Sequence, residues 1–430
     1  MIAIPDRFPA TGTDAAVSIT RAVTLHRIGL RLDFDGHLDP ERMARAARLS
    51  LDAEPILGCS FRTDSFKPYW LRIPDLDATR SFSITETADP TSCVSAFQAE
   101  EIDDAGPQAA VALFRSPDAD VLGIKISHVV SDGHAAKQYA YLLADIYSRL
   151  GVEAAYLPEP NLRGRPSGRD VWGNLTEEQR RDAKKAKSWA SPTWTIPANG
   201  GDGSGLTYLT TSVDPERFAA LKSYGRQRGA TVNDMMLAAV FRACVEEFDP
   251  PTGIPLSLMC TADLRRYLPD AEHLPISNIS ISGSLDIERV DGETFDETLG
   301  RVRSSMDAWA KTCFGAGPSA NAEKLTALGY RAMKAVMHGL FRMAGGSGKT
   351  YPWFTNIGVI DDGRLSFDGC KPVSGHMFGP AAVGASIVPV VSTYRDTLTV
   401  CNGFCAQDFD SAIVGRVLRA TENEIDVLLL

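Results

Sequence analysis

The pattern that opens at residue 26 opens again near residue 206, and this recurrence constrains the fold more than any other feature of the chain. HRIGLRLDFDG alternates apolar and polar side chains in the manner of a strand, and DPERMARAARLSLDA follows it. Asp39 stands where a helix needs a side-chain acceptor for its first N–H groups, and Pro40 where a missing N–H costs nothing. In the second half LTYLTTSV leads into DPERFAALKSYGRQRG, with Asp214 and Pro215 in the same two places. A strand followed by a capped helix at the head of each half points to two units of one architecture. DPER is also a common helix start, so the pattern by itself leaves a true internal duplication open.

Between the halves, PEPNLRGRPSG and PANGGDGSG crowd Pro, Gly and polar residues around one charged helix, which marks a linker. The expected division is 1–160, a linker with a charged helix over 161–205, and 206–430. Within the first unit, ILGCSFRT and KPYWLRI pair as strands, as do AAVALFRS and DVLGIKISH across the turn PDAD. HAAKQYAYLLADIYSRL, residues 134–150, is a long amphipathic helix with Tyr139, Leu142, Leu143 and Ile146 on its apolar side. In the second unit, TVNDMMLAAVFRACVEEF starts with a capping box of Thr231 and Asp234 and carries Met235, Leu237, Ala238, Phe241 and Val245 at helical spacing, as a core helix does. PLSLMCTADLRRYL and NISISGSLDI read as strands, helices are expected near 294–312, 322–344 and 408–429, and further strands near 353–360, 385–393 and 396–404. Strands and helices mixed in this way give α/β sandwiches with partly antiparallel sheets, not a doubly wound dinucleotide-binding domain.

Composition removes several classes of function. No apolar run approaches the roughly 20 residues of a membrane helix. The N-terminus lacks the basic start and apolar core of a secretory signal, so the expected compartment is the cytoplasm. A formal charge of −10 repels nucleic-acid phosphates. The local exception is EEQRRDAKKAKSW, residues 177–189, either a solvated helix face or a docking patch for an acidic carrier protein or a nucleotide phosphate. Eight cysteines without CxxC spacing argue against zinc and against a disulfide framework; Cys401 and Cys405 share a strand face, but their spacing is too short for a hairpin.

Chemistry-bearing motifs are few. AGGSGKT (344–350) fails as a phosphate loop, because Met343 stands where the first Gly belongs and a strand follows, so a flexible loop is expected. GxGxxG after a strand, HExxH and GxSxG are all missing. That leaves SHVVSDG: His128 ends an apolar strand, Asp132 comes four residues later, and Gly133 opens the long helix. His128, Asp132 and His134 form a low-specificity ligand set, and no metal is expected. A lone His at a strand end is structural or catalytic, and the residues alone leave both open.

His128, Asp132 and Gly133 match the HxxxDG motif of the superfamily that holds chloramphenicol acetyltransferases, condensation domains of nonribosomal peptide synthetases, and alcohol acyltransferases. EPILGCSFR, RGATVNDMMLAAVFRA, TADLRRYLP followed by Asn278, and WFTNIGVID resemble family segments in the same order over most of the chain. The likeness is to standalone condensation-like acyltransferases, since no adenylation or carrier segment accompanies it. Synthetase domains usually carry a second His where this chain has Ser127, which shifts weight toward simple acyl transfer. SFDGCKPV only faintly resembles the DFGWG motif of plant relatives and receives no role.

The resemblance implies two chloramphenicol acetyltransferase-like α/β sandwiches with an active-site tunnel at their interface. It implies that His128 is a general base, and that Asp132 turns away from the site to a structural salt bridge with Arg265, Arg266 being the nearest alternative. Gly133 permits close backbone approach and a conformation closed to other residues. Asn356 either donates to an oxyanion or positions the acceptor, or else caps a turn, and His134 is structural or at the rim. The implied activity is acyl transfer from CoA or a carrier-protein thioester to a hydroxyl or amine of a small molecule. The thioester is a co-substrate, no cofactor is bound, and cofactor-binding residues are not assigned. Carrier-dependent amide condensation or cyclisation, and a non-catalytic binding module, are the alternatives.

Overall fold

The computed structural model describes residues 3–186, 190–345, 348–384 and 387–428. Two sheets dominate it. The first has five strands in the order Ser374–Phe378, Arg27–Asp33, Asp120–Ser127, Ala109–Arg115 and Phe82–Glu86. The second has six, in the order Ser280–Glu288, Pro255–Asp263, Trp353–Ile360, Pro389–Tyr394, Thr397–Cys405 and Leu206–Val213. Pairing is mixed. The first sheet is antiparallel except between Phe82–Glu86 and Ala109–Arg115, and Trp353–Ile360 runs parallel to both of its neighbours in the second. These are the α/β sandwiches with partly antiparallel sheets that the strand and helix pattern requires.

Each sheet buries an apolar helix face. Helix Pro40–Ala53 and the motif helix Gly133–Val152 contribute Met43, Leu51, Tyr139, Leu143 and Ile146 to the core over Leu30, Leu32, Ile124 and Ile126. Helix Val232–Phe248 buries Met235, Leu237, Ala238 and Phe241 against the second sheet, and helix Ser411–Val427 packs beside it. Asp39 and Asp214 both accept from the first turn of the helices they precede, so both halves contain a strand followed by a capped helix, preceded in the first half by helix Gly12–Ile19. The strand leading to His128 is buried along its whole length, including Lys125, whose Nζ donates to the carbonyls of Phe97 and Glu100 at the end of helix Pro90–Ala99.

Several elements differ from the sequence reading. The expected helix near 322–344 is two, Ala316–Ala327 and Tyr330–Gly345, broken at Gly329, whose φ of 96° no helix accepts. Helices Gly12–Ile19 and Pro90–Ala99 were not expected, although Asp89 and Pro90 repeat the start signal seen at Asp39 and at Asp214. The charged segment forms helix Glu177–Lys185. Residues 187–189 of that segment, Gly346 and Ser347 of AGGSGKT, and residues 385 and 386 of the expected 385–393 strand lie outside the described residues.

The halves are joined by exchange as well as by contact. Strand Ser374–Phe378 leaves the second half and adds to the first sheet beside Arg27–Asp33. Lys137 of the motif helix donates to the carbonyls of Ile357 and Val359 in the second sheet, both at 2.8 Å. The linker contributes Arg165, which sits in the interior. Its guanidinium pairs with the buried Asp14 at 2.5 and 3.0 Å, and also donates to the carbonyls of Val130 and Ile276. Asp14 in turn accepts from Trp70 Nε1 and from Thr11 N.

Truncating Arg165 leaves the Asp14 charge buried with only neutral donors. Arg165→Ala is expected to lower unfolding free energy by about 3–5 kcal/mol, and Asp14→Asn in the same background to recover part of it. Urea unfolding of the three proteins measures this, and an Arg165→Ala loss below about 1 kcal/mol would contradict it.

Candidate active site

Residues 127–132 form a tight loop whose backbone groups can be accounted for one by one. The Ser127 carbonyl accepts from the backbone N–H of Val130 and of Ser131 and from the Ser131 hydroxyl. His128 N donates to the carbonyl of His26, because the antiparallel register that pairs Arg27 with Ser127 brings residue 26 opposite residue 128. The His128 carbonyl accepts from Asn278 Nδ2 at 2.8 Å, and the Val130 carbonyl from Arg165 at 3.0 Å. The Ser131 carbonyl is left for the imidazole of His128, whose Nδ1 lies 2.7 Å away.

That last bond sets the proton. A carbonyl oxygen only accepts, so Nδ1 carries the hydrogen and Nε2 of the neutral ring presents a lone pair. Nε2 makes no hydrogen bond among the described residues. Burial lowers the pKa of His128 below the ordinary imidazole value, and the Ser131 carbonyl and Asp132 offset this only in part. The ring is therefore neutral near pH 7.

Asp132 does not reach the imidazole. Its carboxylate pairs with Arg265 Nη1 at 2.7 Å, accepts from Ile279 N at 2.8 Å, and caps the motif helix through Ala135 N at 2.9 Å. Burial alone would raise this carboxyl; Arg265 and the two backbone donors hold it below the usual carboxylate range. Arg265 also donates to the Ser277 carbonyl and to Asp263, so two segments of the second half, 263–265 and 277–279, converge on this ion pair. Arg266 donates to the Asp263 carbonyl and lies over the Tyr267 ring, away from Asp132.

Gly133 is needed for space. Its backbone is ordinary and helical, which corrects the expectation of a conformation closed to other residues. A Cβ there would lie 3.0 Å from the side chain of Ile357, which crosses the start of the motif helix. Asn356, next to it, sits at a bulge against strand Pro389–Tyr394, and its Oδ1 accepts from Gly358 N at 2.9 Å. His134 points away from His128, with Nδ1 3.8 Å from Asp263 and Nε2 3.2 Å from Gln138.

Three contributors receive no role in the sequence reading. Asn278 holds the His128 carbonyl, Arg165 the Val130 carbonyl, and His26 packs its ring edge-on to His128 with centroids 6.3 Å apart. Thr20 Oγ1 donates to Val17 O and so accepts from His26 Nε2, which leaves His26 Nδ1 buried without a partner. Burial, with His128, Arg21 and Arg27 adding to it, pushes His26 down to about 2. The signal for His26 was strand register, which fixes residue 26 opposite 128 once the two strands are paired. A cavity of about 870 Å³ flanks the motif helix, lined among others by Gln138, Tyr141, Asp145, Arg163 and Arg364; His128 is not part of its wall.

Comparison with solved structures assigns the architecture. The first condensation domain of the calcium-dependent antibiotic (CDA) synthetase superposes with a TM-score of 0.71 at 17% identity, covering 98% of this chain and 96% of that one. The chain has the condensation-domain fold. A trichothecene 15-O-acetyltransferase from Fusarium sporotrichioides gives 0.74 at 14% identity over 99% and 95% of the two chains. The starter condensation domain of rhizomide synthetase, solved in complex with C8-CoA, gives 0.67 at 15% identity over 98% and 95%. No family model matches the sequence, and no curated protein matches it. This condensation fold spans the chain from end to end, so both sheets and the linker belong to it.

The crowding at Gly133 has a measurable cost. Gly133→Ala should destabilise the fold by about 1–3 kcal/mol, because Ile357 must shift. With Ile357→Ala the double loss should fall short of the sum of the single losses by about 1 kcal/mol. Additive losses in thermal or urea unfolding would show that the two positions do not collide.

Proposed function

We propose that this protein transfers an acyl group from a CoA or carrier-protein thioester to a hydroxyl or amine of a small molecule, with His128 as general base. The observation that carries this reading is the bond from His128 Nδ1 to the Ser131 carbonyl, which leaves Nε2 as a free base on a ring kept neutral by burial. Nε2 takes the proton of the acceptor O–H or N–H as its heteroatom attacks the thioester carbonyl carbon. The tetrahedral intermediate collapses, the C–S bond breaks, and the departing thiolate takes the proton back from the imidazolium. Throughout, the Ser131 carbonyl steadies the imidazolium by accepting from Nδ1. Asp132 is a positioning residue: it fixes the loop and the helix start and leaves the proton to His128.

The oxyanion needs a donor. Asn356 is the candidate, since its Oδ1 is engaged with Gly358 while Nδ2 makes no hydrogen bond among the described residues. The N-terminal end of the motif helix adds a partial positive charge that disfavours a second one on His128. Support for the donor and acceptor classes comes from the neighbours of the same fold, one solved with C8-CoA and one a 15-O-acetyltransferase. The synthetase condensation domains among them support carrier-dependent amide formation as the second reading.

Substituting His128 tests the base. His128→Ala should lower product formation by about 100-fold or more with circular dichroism unchanged, and near-normal turnover would overturn the proposal. The neutral ring is the active form and its pKa is depressed, so kcat/KM should hold flat as pH falls through 6.5 and decline only in more acid solution. A panel of acyl-CoA and carrier-bound thioesters separates the two readings: turnover only with carrier-bound donors assigns the second.

A further inference from the structure

The helix Tyr330–Gly345 has three faces, and only one is explained by packing. Met333 is buried with Ala15 and Ile19 of helix Gly12–Ile19, and Met337 and Phe341 lean on the same cluster. The second face is a row of apolar side chains in solvent, Val336 at 47% exposure, Leu340 at 58% and Met343 at 79%, and Leu328, 64% exposed, stands just before the helix. Phe66, 68% exposed, packs its ring against Gly329 at the head of the row. These are five of the sixteen large apolar residues exposed among those described, gathered in one patch. The third face holds Arg331, Lys334 and Arg342, all exposed, and residues 330–345 contain no Asp or Glu in a chain of net charge −10.

We propose that this face docks the protein on an anionic lipid surface. At 1.5 Å rise per residue, the row from Val336 to Met343 runs about 10 Å along one continuous helix, a shape that lies flat in an interface. The helix is too short to cross a bilayer, and no helix among the described residues is long and apolar enough to do so. Charge selects the surface. The chain as a whole is repelled by anionic headgroups, whereas this helix, with three basic residues and no acidic one, carries the opposite sign on its polar face. Tyr330 donates to Ser18 of helix Gly12–Ile19, that helix runs into Thr20, and Thr20 accepts from His26, the partner of the His128 backbone, so hydrogen bonds tie this helix to the site. Docking itself does not depend on the acyl-transfer reading and is measured without turnover.

The test is co-sedimentation of the full chain with phosphatidylglycerol–phosphatidylcholine vesicles and with pure phosphatidylcholine vesicles. Binding to the anionic vesicles is expected to be at least about tenfold tighter and to weaken with salt. Leu340→Glu/Met343→Glu should abolish it, and Lys334→Glu/Arg342→Glu should reduce it to the neutral-vesicle level. All four residues are exposed, so unchanged circular dichroism is expected for both pairs. No binding to anionic vesicles, or binding that both pairs leave intact, overturns the proposal. So does a concentration-dependent dimer, or saturable binding of an acidic carrier protein, that Leu340→Glu/Met343→Glu removes while vesicles are ignored.

Discussion

The buried carboxylate of Asp132 is the interaction on which the arrangement of the site depends. It caps the first turn of the motif helix, accepts from the backbone of Ile279, and neutralises Arg265, so a single side chain ties first-half loop, first-half helix and second-half strands together. A charge this deep is tolerated because both carboxylate oxygens meet donors, one of them a guanidinium; with one partner removed, the others become uncompensated. The neighbouring imidazole gains its freedom from that commitment. Asp132 is fully engaged elsewhere, so His128 is oriented by a neutral carbonyl and keeps the chemistry of an uncharged base.

The loop between them is held from three directions that meet nowhere in the sequence. Asn278 comes from the second half, Arg165 from the linker and the His26 carbonyl from the adjacent strand, and each takes one backbone group of residues 128–130. The linker is thus a strap through the interior as well as a connection. Ser127, where synthetase domains carry a second His, is buried and serves as the anchor around which the loop turns. Lys137 adds a link between the halves one turn into the motif helix, and its amine, which burial lowers to about 8, stays bound to two carbonyls of the crossing strand. Ile357 on that strand is what makes position 133 tight for any side chain.

Much of this was legible in the chain because it is local. Asp39, Asp214 and Thr231 announce their helices by accepting from N–H groups within three residues, and alternation marks the strands that pair with near neighbours. Legibility failed where a signal is short or shared. Gly12–Ile19 and Pro90–Ala99 are too brief for a clear apolar period, and the break at Gly329 is one residue in an otherwise continuous helical pattern. Strand Ser374–Phe378 could not be assigned to the first sheet, since nothing in its composition says which edge it will meet.

The sequence by itself determined two α/β units, the helix opened by Gly133, and the residue types of a base beside a carboxylate, because periodicity, caps and a fixed-spacing motif act within a few residues of backbone. The tertiary structure decided which nitrogen of His128 is free, that Gly133 answers to crowding and not to φ, that His26, Arg165 and Asn278 hold the loop, and that one basic helix keeps an apolar row in solvent. Those outcomes depend on groups brought together across the fold, from the Ser131 carbonyl three residues from His128 to Ile357 more than two hundred from Gly133, and only the packed sheets fix that geometry.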